Sequence, residues 1–103
     1  MNNEVSLTVT DINNYIKNIV DGDFFLSNVT LKGEISNLKF HTRGHLYFSL
    51  KDENSKINAV MFNYKNLGLN FIPKDGMNVI VKGKVSVFTT GGSYQITVSN
   101  MKL

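Results

Sequence analysis

Five stretches of this chain alternate apolar and polar residues with the two-residue period of a half-buried strand, and their order limits the fold more than any other feature. Val29, Leu31, Gly33 and Ile35 alternate with Thr30, Lys32, Glu34 and Ser36. Residues 45–52 set Leu46, Phe48 and Leu50 against His45, Tyr47, Ser49 and Lys51. After a polar turn at Asp52, Glu53, Asn54 and Ser55, residues 56–62 form a third stretch. Its faces do not separate, because Val60 and Phe62 oppose Ile57, Ala59 and Met61. A break follows, with room for a short helix over residues 63–70, weakened by Gly68, and a turn at Pro73, Lys74, Asp75 and Gly76. Val79, Val81, Gly83, Val85 and Val87 then alternate with Ile80, Lys82, Lys84, Ser86 and Phe88. Beyond a turn at residues 89–92, Tyr94, Ile96 and Val98 alternate with Gln95, Thr97 and Ser99.

A glycine inside a strand marks a bend or a bulge. Gly33 and Gly83 fall within the first and fourth stretches, where kinks would let long strands curl and serve both sides of a barrel. Three strands, a break and two more strands are the layout of an all-β, five-stranded OB-fold, a Greek-key barrel. Ahead of it, Ile12, Tyr15, Ile16, Ile19 and Val20 make one stripe of an amphipathic helix, with Thr10 as the expected cap, Asp11 at its positive end and Gly22 as its stop. Residues 1–27 thus read as a helical extension packed on the core, and residues 28–103 as the barrel.

A chain of 103 residues holds one small core. With no cysteine, neither a disulfide framework nor a thiolate metal site is possible. No apolar run approaches a membrane span, and the first ten residues lack a signal pattern, so a soluble intracellular protein is expected. The net charge of +3 hides an asymmetry: residues 1–31 carry −3 and residues 32–103 carry +6. Basic charge concentrated on the β-rich part favours a polyanionic partner.

An OB-fold takes oligonucleotides across its second and third strands, between the loops after strands one and four. The floor would hold Lys32, His45, Tyr47, Lys51 and Phe62, although for Phe62 packing in the core is the stronger expectation. The first wall, residues 38–44, supplies Lys39, Phe40, His41 and Arg43; the second, residues 88–93, is rich in glycine and hydroxyls. Rings stack on bases and cations meet phosphates, which suits a single strand. Tyr47 and Phe40 are the best stacking candidates, with a loop anchor as the other reading of Phe40. Two histidines without a carboxylate cluster make neither a metal site nor an acid–base pair. No nucleophile–base signature or phosphate-cradling loop appears, so no catalytic residue, metal or cofactor is expected. An OB module for RNA, of the tRNA anticodon type, or for a protein partner is the alternative.

GEISN at residues 33–37, GHLYFSLKD at 44–52, AVMF at 59–62, DGMNVIVKGKVSVF at 75–88 and GGSYQITV at 91–98 stand in one order and spacing. Together with LTVTDINNYIKNIV at 7–20 they resemble the N-terminal domain of the exodeoxyribonuclease VII large subunit. The resemblance implies a bacterial cytoplasmic nuclease that degrades single-stranded DNA from both ends into oligonucleotides, its large subunit joined to several copies of a small one. It also implies that this domain grips the DNA while a catalytic domain follows it, so the chain looks like an excised domain. One departure is Leu46, where that family usually has tryptophan; strand parity turns Leu46 inward.

Overall fold

The computed structural model describes residues 4–103. A helix, α1 (Val9–Asp21), precedes strands β1 (Val29–Phe40), β2 (Leu46–Lys51), β3 (Lys56–Met61), β4 (Asn78–Phe88) and β5 (Ser93–Lys102). The strands close into a barrel in the order β1-β2-β3-β5-β4. Closure comes from β1, which pairs with β4 from Val29 to Glu34 and with β2 from Glu34 to Phe40, and from a parallel contact between β3 and β5.

Both strand glycines do what their positions suggest. At Gly33, β1 bends from one partner to the other, and a Cβ there would stand 2.8 Å from both the Leu50 side chain and the Lys51 carbonyl oxygen. At Gly83 a Cβ would run into the Thr97 backbone. The β4–β5 register shifts between Lys82 and Gly83, so the strand turns where no side chain obstructs it.

Closure also resolves the ambiguous third stretch. Ala59 and Met61 join Ile35, Leu46, Phe48, Leu50, Val79, Val81, Ile96 and Val98 in the core. Lys56, Asn58 and Val60 therefore face outward, opposite Lys51, Ser49 and Tyr47. Phe62 continues that outward face and is 44% exposed, so its expected place in the core is wrong. The possible helix after β3 is a single 3-10 turn, Tyr64–Leu67. Left-handed residues at both ends, Asn63 (φ 49°) and Gly68 (φ 70°), prevent it from extending. Tyr64, Leu67, Leu69, Phe71 and Met77 from this connection cover one part of the core.

The helix forms where its stripe predicted, but it is capped two residues earlier and rotated. Thr8, not Thr10, is the cap: its hydroxyl accepts from the Asp11 amide at 3.0 Å, and the Asp11 carboxylate accepts from the Thr8 amide at 3.0 Å. Gly22 ends the helix as expected. The residues turned partly away from solvent are Asn13, Lys17 and Val20. The apolar stripe of Ile12, Tyr15, Ile16 and Ile19 stays 41–62% exposed, and α1 has no buried residue. Asn13 donates to the Thr89 carbonyl at 3.0 Å, and Asp21 meets Lys84 at 3.9 Å. The helix is thus fastened to β4 and the following turn mainly by polar contacts.

Candidate nucleic-acid interface

The β2–β3 face is built by strand parity and one bulge. Cross-strand pairs Tyr47 and Val60, Ser49 and Asn58, and Lys51 and Lys56 stand side by side on it, because paired residues share a face. On β1 the pairing with β2 jumps from Ser36 opposite Ser49 to Lys39 opposite Tyr47. Three steps on β1 against two on β2 make a bulge, and Asn37 within it has φ 52°. The bulge turns Leu38 toward the core and sets Lys39 beside Tyr47. Lys39 and Phe40 are consequently strand residues, and the first wall begins later than expected, at His41.

That wall is a tight loop pinned by backbone bonds. The His41 amide donates to the His45 carbonyl at 2.8 Å, and the Gly44 amide to the His41 carbonyl at 2.9 Å. Gly44 sits at φ 85°, a left-handed conformation that glycine adopts without steric cost. Both imidazoles are oriented by accepting backbone amides at Nδ1, His41 from Arg43 at 3.3 Å and His45 from Asn63 at 3.2 Å. This leaves each Nε2 as the protonated nitrogen of the neutral ring. The rings then join into a ribbon: His41 meets Tyr47 edge-on at 6.0 Å, stacks with His45 at 6.2 Å, and His45 meets Phe62 edge-on at 5.0 Å. Phe40 tilts against Tyr64 at 5.4 Å.

The exposed surfaces of this ribbon are those a base would need. Tyr47 is 39% exposed and Phe62 44%, so neither is committed to the core, whereas Phe40, although 52% exposed, pairs with the inward Leu46 and lies off this face against Tyr64. His41, Arg43 and Lys39 are exposed, and His45 is half-buried between its neighbours. Lys51 reaches Glu34 at 3.6 Å, which reduces its charge as seen by a ligand. Lys32 is not on this floor. β1 has left β2 by Glu34, and Lys32 instead pairs with Ile80 of β4.

The second wall follows β4, where Gly92 (φ 64°) turns the chain and Phe88 stays exposed. Asn13 of α1 braces it at Thr89, a residue that the pattern of the helix did not single out. Other members of the face were also missed. Lys56 and Asn58 became visible only with the register of β3, and Gln95 and Thr97 only when β5 paired with β3. Tyr64, in a connection without periodicity, lies off this face and covers the core beside Phe40.

At the opposite end of the face, the β2–β3 turn is held by Asp52, whose Oδ1 accepts from the Asn54 and Ser55 amides at 2.9 Å each. Those two bonds favour the charged form and hold the carboxyl below its ordinary value of 3.8. Beside it lies an open groove of about 750 Å³ between Lys51 and Ile80. Glu34, Asp52 and Glu53 stand on its rim together with Lys32 and Lys51, so its charge is mixed. Among the described residues, no cluster of histidine and carboxylate groups could hold a metal ion.

A closed five-stranded barrel with an aromatic, basic face between two loops is an oligonucleotide-binding domain in form. The chain belongs to the family of OB-fold nucleic acid binding domains, which it matches over residues 7–102. It is also 56% identical over 97 residues to the exodeoxyribonuclease 7 large subunit of Clostridium botulinum (strain Eklund 17B / Type B), covering 94% of this chain and 24% of that protein. The large subunit of Clostridium kluyveri (strain NBRC 12016) is 57% identical with the same coverage. That of Clostridium novyi (strain NT) is 59% identical over 90 residues, 87% of this chain and 22% of the relative. The resemblance carried by GEISN and GHLYFSLKD is borne out, and the chain spans about a quarter of the length of these curated relatives.

Solved structures share the fold at low identity. A replication protein A heterotrimer bound to ssDNA aligns with a TM-score of 0.59 at 17% identity, over 75% of this chain and 57% of that one. The mitochondrial single-stranded DNA binding protein Rim1 from S. cerevisiae aligns with a TM-score of 0.58 at 19% identity, over 78% and 95%. Among the described residues no helix is long and apolar enough to cross a membrane.

Proposed function

We propose that this chain is the single-stranded DNA-binding domain of an exodeoxyribonuclease VII large subunit, holding a strand that a separate domain cuts. The observation that carries the reading is the ribbon of Tyr47, His41, His45 and Phe62, with Lys39 and Arg43 beside it. Partly exposed rings beside cations offer stacking to any base and charge to any phosphate, without donors or acceptors set to read one sequence. The parent protein would be cytoplasmic, would degrade single-stranded DNA from both ends, and would meet its small subunit through regions outside this domain.

The domain itself does not cleave. Its carboxylates are dispersed among a turn, an ion pair and a cap, with no cluster to hold a metal among the described residues. Incubated with end-labelled single-stranded DNA, with and without magnesium, it should leave the oligonucleotide intact. Reproducible cutting that copurifies with the domain and disappears in a Tyr47→Ala variant would overturn this assignment.

Binding should be salt-dependent and tolerant of sequence. If about three to five phosphates are neutralised, log K against log salt should slope at about −2 to −3.5, near −0.7 per contact. A flat slope, or a strong preference for one short RNA sequence, would favour the RNA or protein-binding alternative.

A further inference from the structure

Three lysines on β1, β4 and β5 have no ion-pair partner among the described residues. Lys32 of β1 and Lys102 of β5 flank Ile80 of β4 in register, and Lys82 stands two residues along β4 between Thr30 and Asn100. All three are exposed. No carboxylate stands at the paired positions between the three, and the acidic rim of Glu34, Asp52 and Glu53 borders the tract on the Lys32 side, in the groove that Lys32 and Ile80 also line. The acidic groups at the margins, Glu34 and Asp21, are turned to Lys51 at 3.6 Å and to Lys84 at 3.9 Å.

Strand geometry sets the spacing. Neighbouring strands lie about 4.8 Å apart and residues two apart on one strand about 6.8 Å, so the three lysine stems leave the sheet within roughly 10 Å of one another. That is close to one Debye length at physiological salt, about 8 Å, so their mutual repulsion is only partly screened. A polyanion would relieve it.

The lysine face is continuous with the aromatic face. Tyr47, Val60, Thr97 and Lys84 occupy neighbouring outward positions on β2, β3, β5 and β4. No acidic residue occupies that row, and the nearest carboxylate is Asp21 of α1, 3.9 Å from Lys84 at its end. A single strand lying across β2 and β3 can therefore continue over β5 to Lys84 and on to Lys82, Lys102 and Lys32.

We infer that Lys32, Lys82 and Lys102 form a second phosphate-contacting tract, onto which a long single strand wraps from the Tyr47 face by way of β5. The inference rests on the reading of this domain as a single-strand binder. No ring stands beside Ile80 on this tract, so it contributes charge alone: attraction to the backbone, strong salt dependence and no base preference.

The test compares oligothymidylates of two lengths. An OB-fold occupies about 4–16 nucleotides, so a strand of about 8 should fill the aromatic face and one of about 30 should reach the tract. In the parent domain the salt slope for the longer strand should exceed that for the shorter by about 2, from three further contacts at about 0.7 each. Combined Lys32→Gln, Lys82→Gln and Lys102→Gln should remove this excess and weaken the longer strand about tenfold or more, with less than about threefold change for the shorter. A control carrying Lys17→Gln, Lys65→Gln and Lys74→Gln removes equal charge elsewhere and should keep the length dependence.

Equal weakening of both lengths in the tract variant would overturn the inference, since the lysines would then act through overall charge. Unchanged binding of the longer strand would overturn it too. If polyglutamate bound the parent but not that variant, the surface would belong to an acidic protein instead. Failure of the parent to bind either length would remove the single-strand reading itself, an outcome distinct from all of these.

Discussion

Tyr47→Ala should lower affinity for single-stranded DNA by about 1–3 kcal/mol, roughly 5- to 160-fold, the range for losing one base–aromatic stack. The ring stands at the centre of the β2–β3 face, edge-on to His41 and cross-strand from Lys39 and Val60. It is 39% exposed, whereas its chain neighbours Leu46 and Phe48 are 0% and 4% exposed. Removing it should therefore spare the core and shift the melting midpoint by less than about 8 °C, the equivalent of about 1 kcal/mol in a domain of this size. Titration of a labelled oligonucleotide, after a thermal melt, reads both quantities. A folded variant that binds like the parent would move the strand off this face altogether.

Phe48→Ala should cost about 3–5 kcal/mol of stability, the usual result of deleting a buried aromatic side chain. Phe48 lies one residue from Tyr47, yet parity sends its ring into the barrel among the core residues of the other strands. Small domains are typically stable by about 5–15 kcal/mol, so the loss would consume a large share of the total. The melting midpoint should fall by at least about 12 °C, at 4–8 °C per kcal/mol. If the alanine variant does not accumulate as a folded species, Phe48→Leu should fold and show the same direction with a smaller loss. A Phe48→Ala variant melting within a few degrees of the parent would contradict the inward placement of the ring. Adjacent residues on one strand would thus separate binding from folding.

The face was largely legible because its chemistry lies in one contiguous stretch. Residues 39–47 supply Lys39, His41, Arg43, His45 and Tyr47, and the alternation of β2 alone decides which of Tyr47 and Phe48 points outward, while Phe40, expected there too, pairs with Leu46 on the other side of β1. Phe62 was harder to place. The third stretch is apolar on both faces, and its outward residue Val60 is 0% exposed on the completed barrel. Hydrophobicity cannot distinguish such a position from the core. Only pairing with Tyr47 on one side and Thr97 on the other does so.

Periodicity along the chain determined the five strands, the two kink glycines, the helix with its stop at Gly22 and the inward turn of Leu46, all of which follow from local patterning and backbone sterics, whereas the cap fell to Thr8 and not to Thr10. Register, closure and the rotation of α1 were decided by the tertiary structure. Parity states which residues of one strand share a face, but not which neighbour that face meets. A single bulge at Asn37 resets the parity of β1, so Lys39 rather than Leu38 stands beside Tyr47. The departure of β1 from β2 at Glu34 sets Lys32 beside Ile80 of β4 instead of on the β2–β3 face. The helix has an apolar stripe in sequence, yet Asn13, Lys17 and Val20 make its half-buried side. Its hydrogen bond to Thr89 and its ion pair with Lys84 fix that rotation, and both partners lie more than sixty residues away in sequence, beyond the reach of any local pattern.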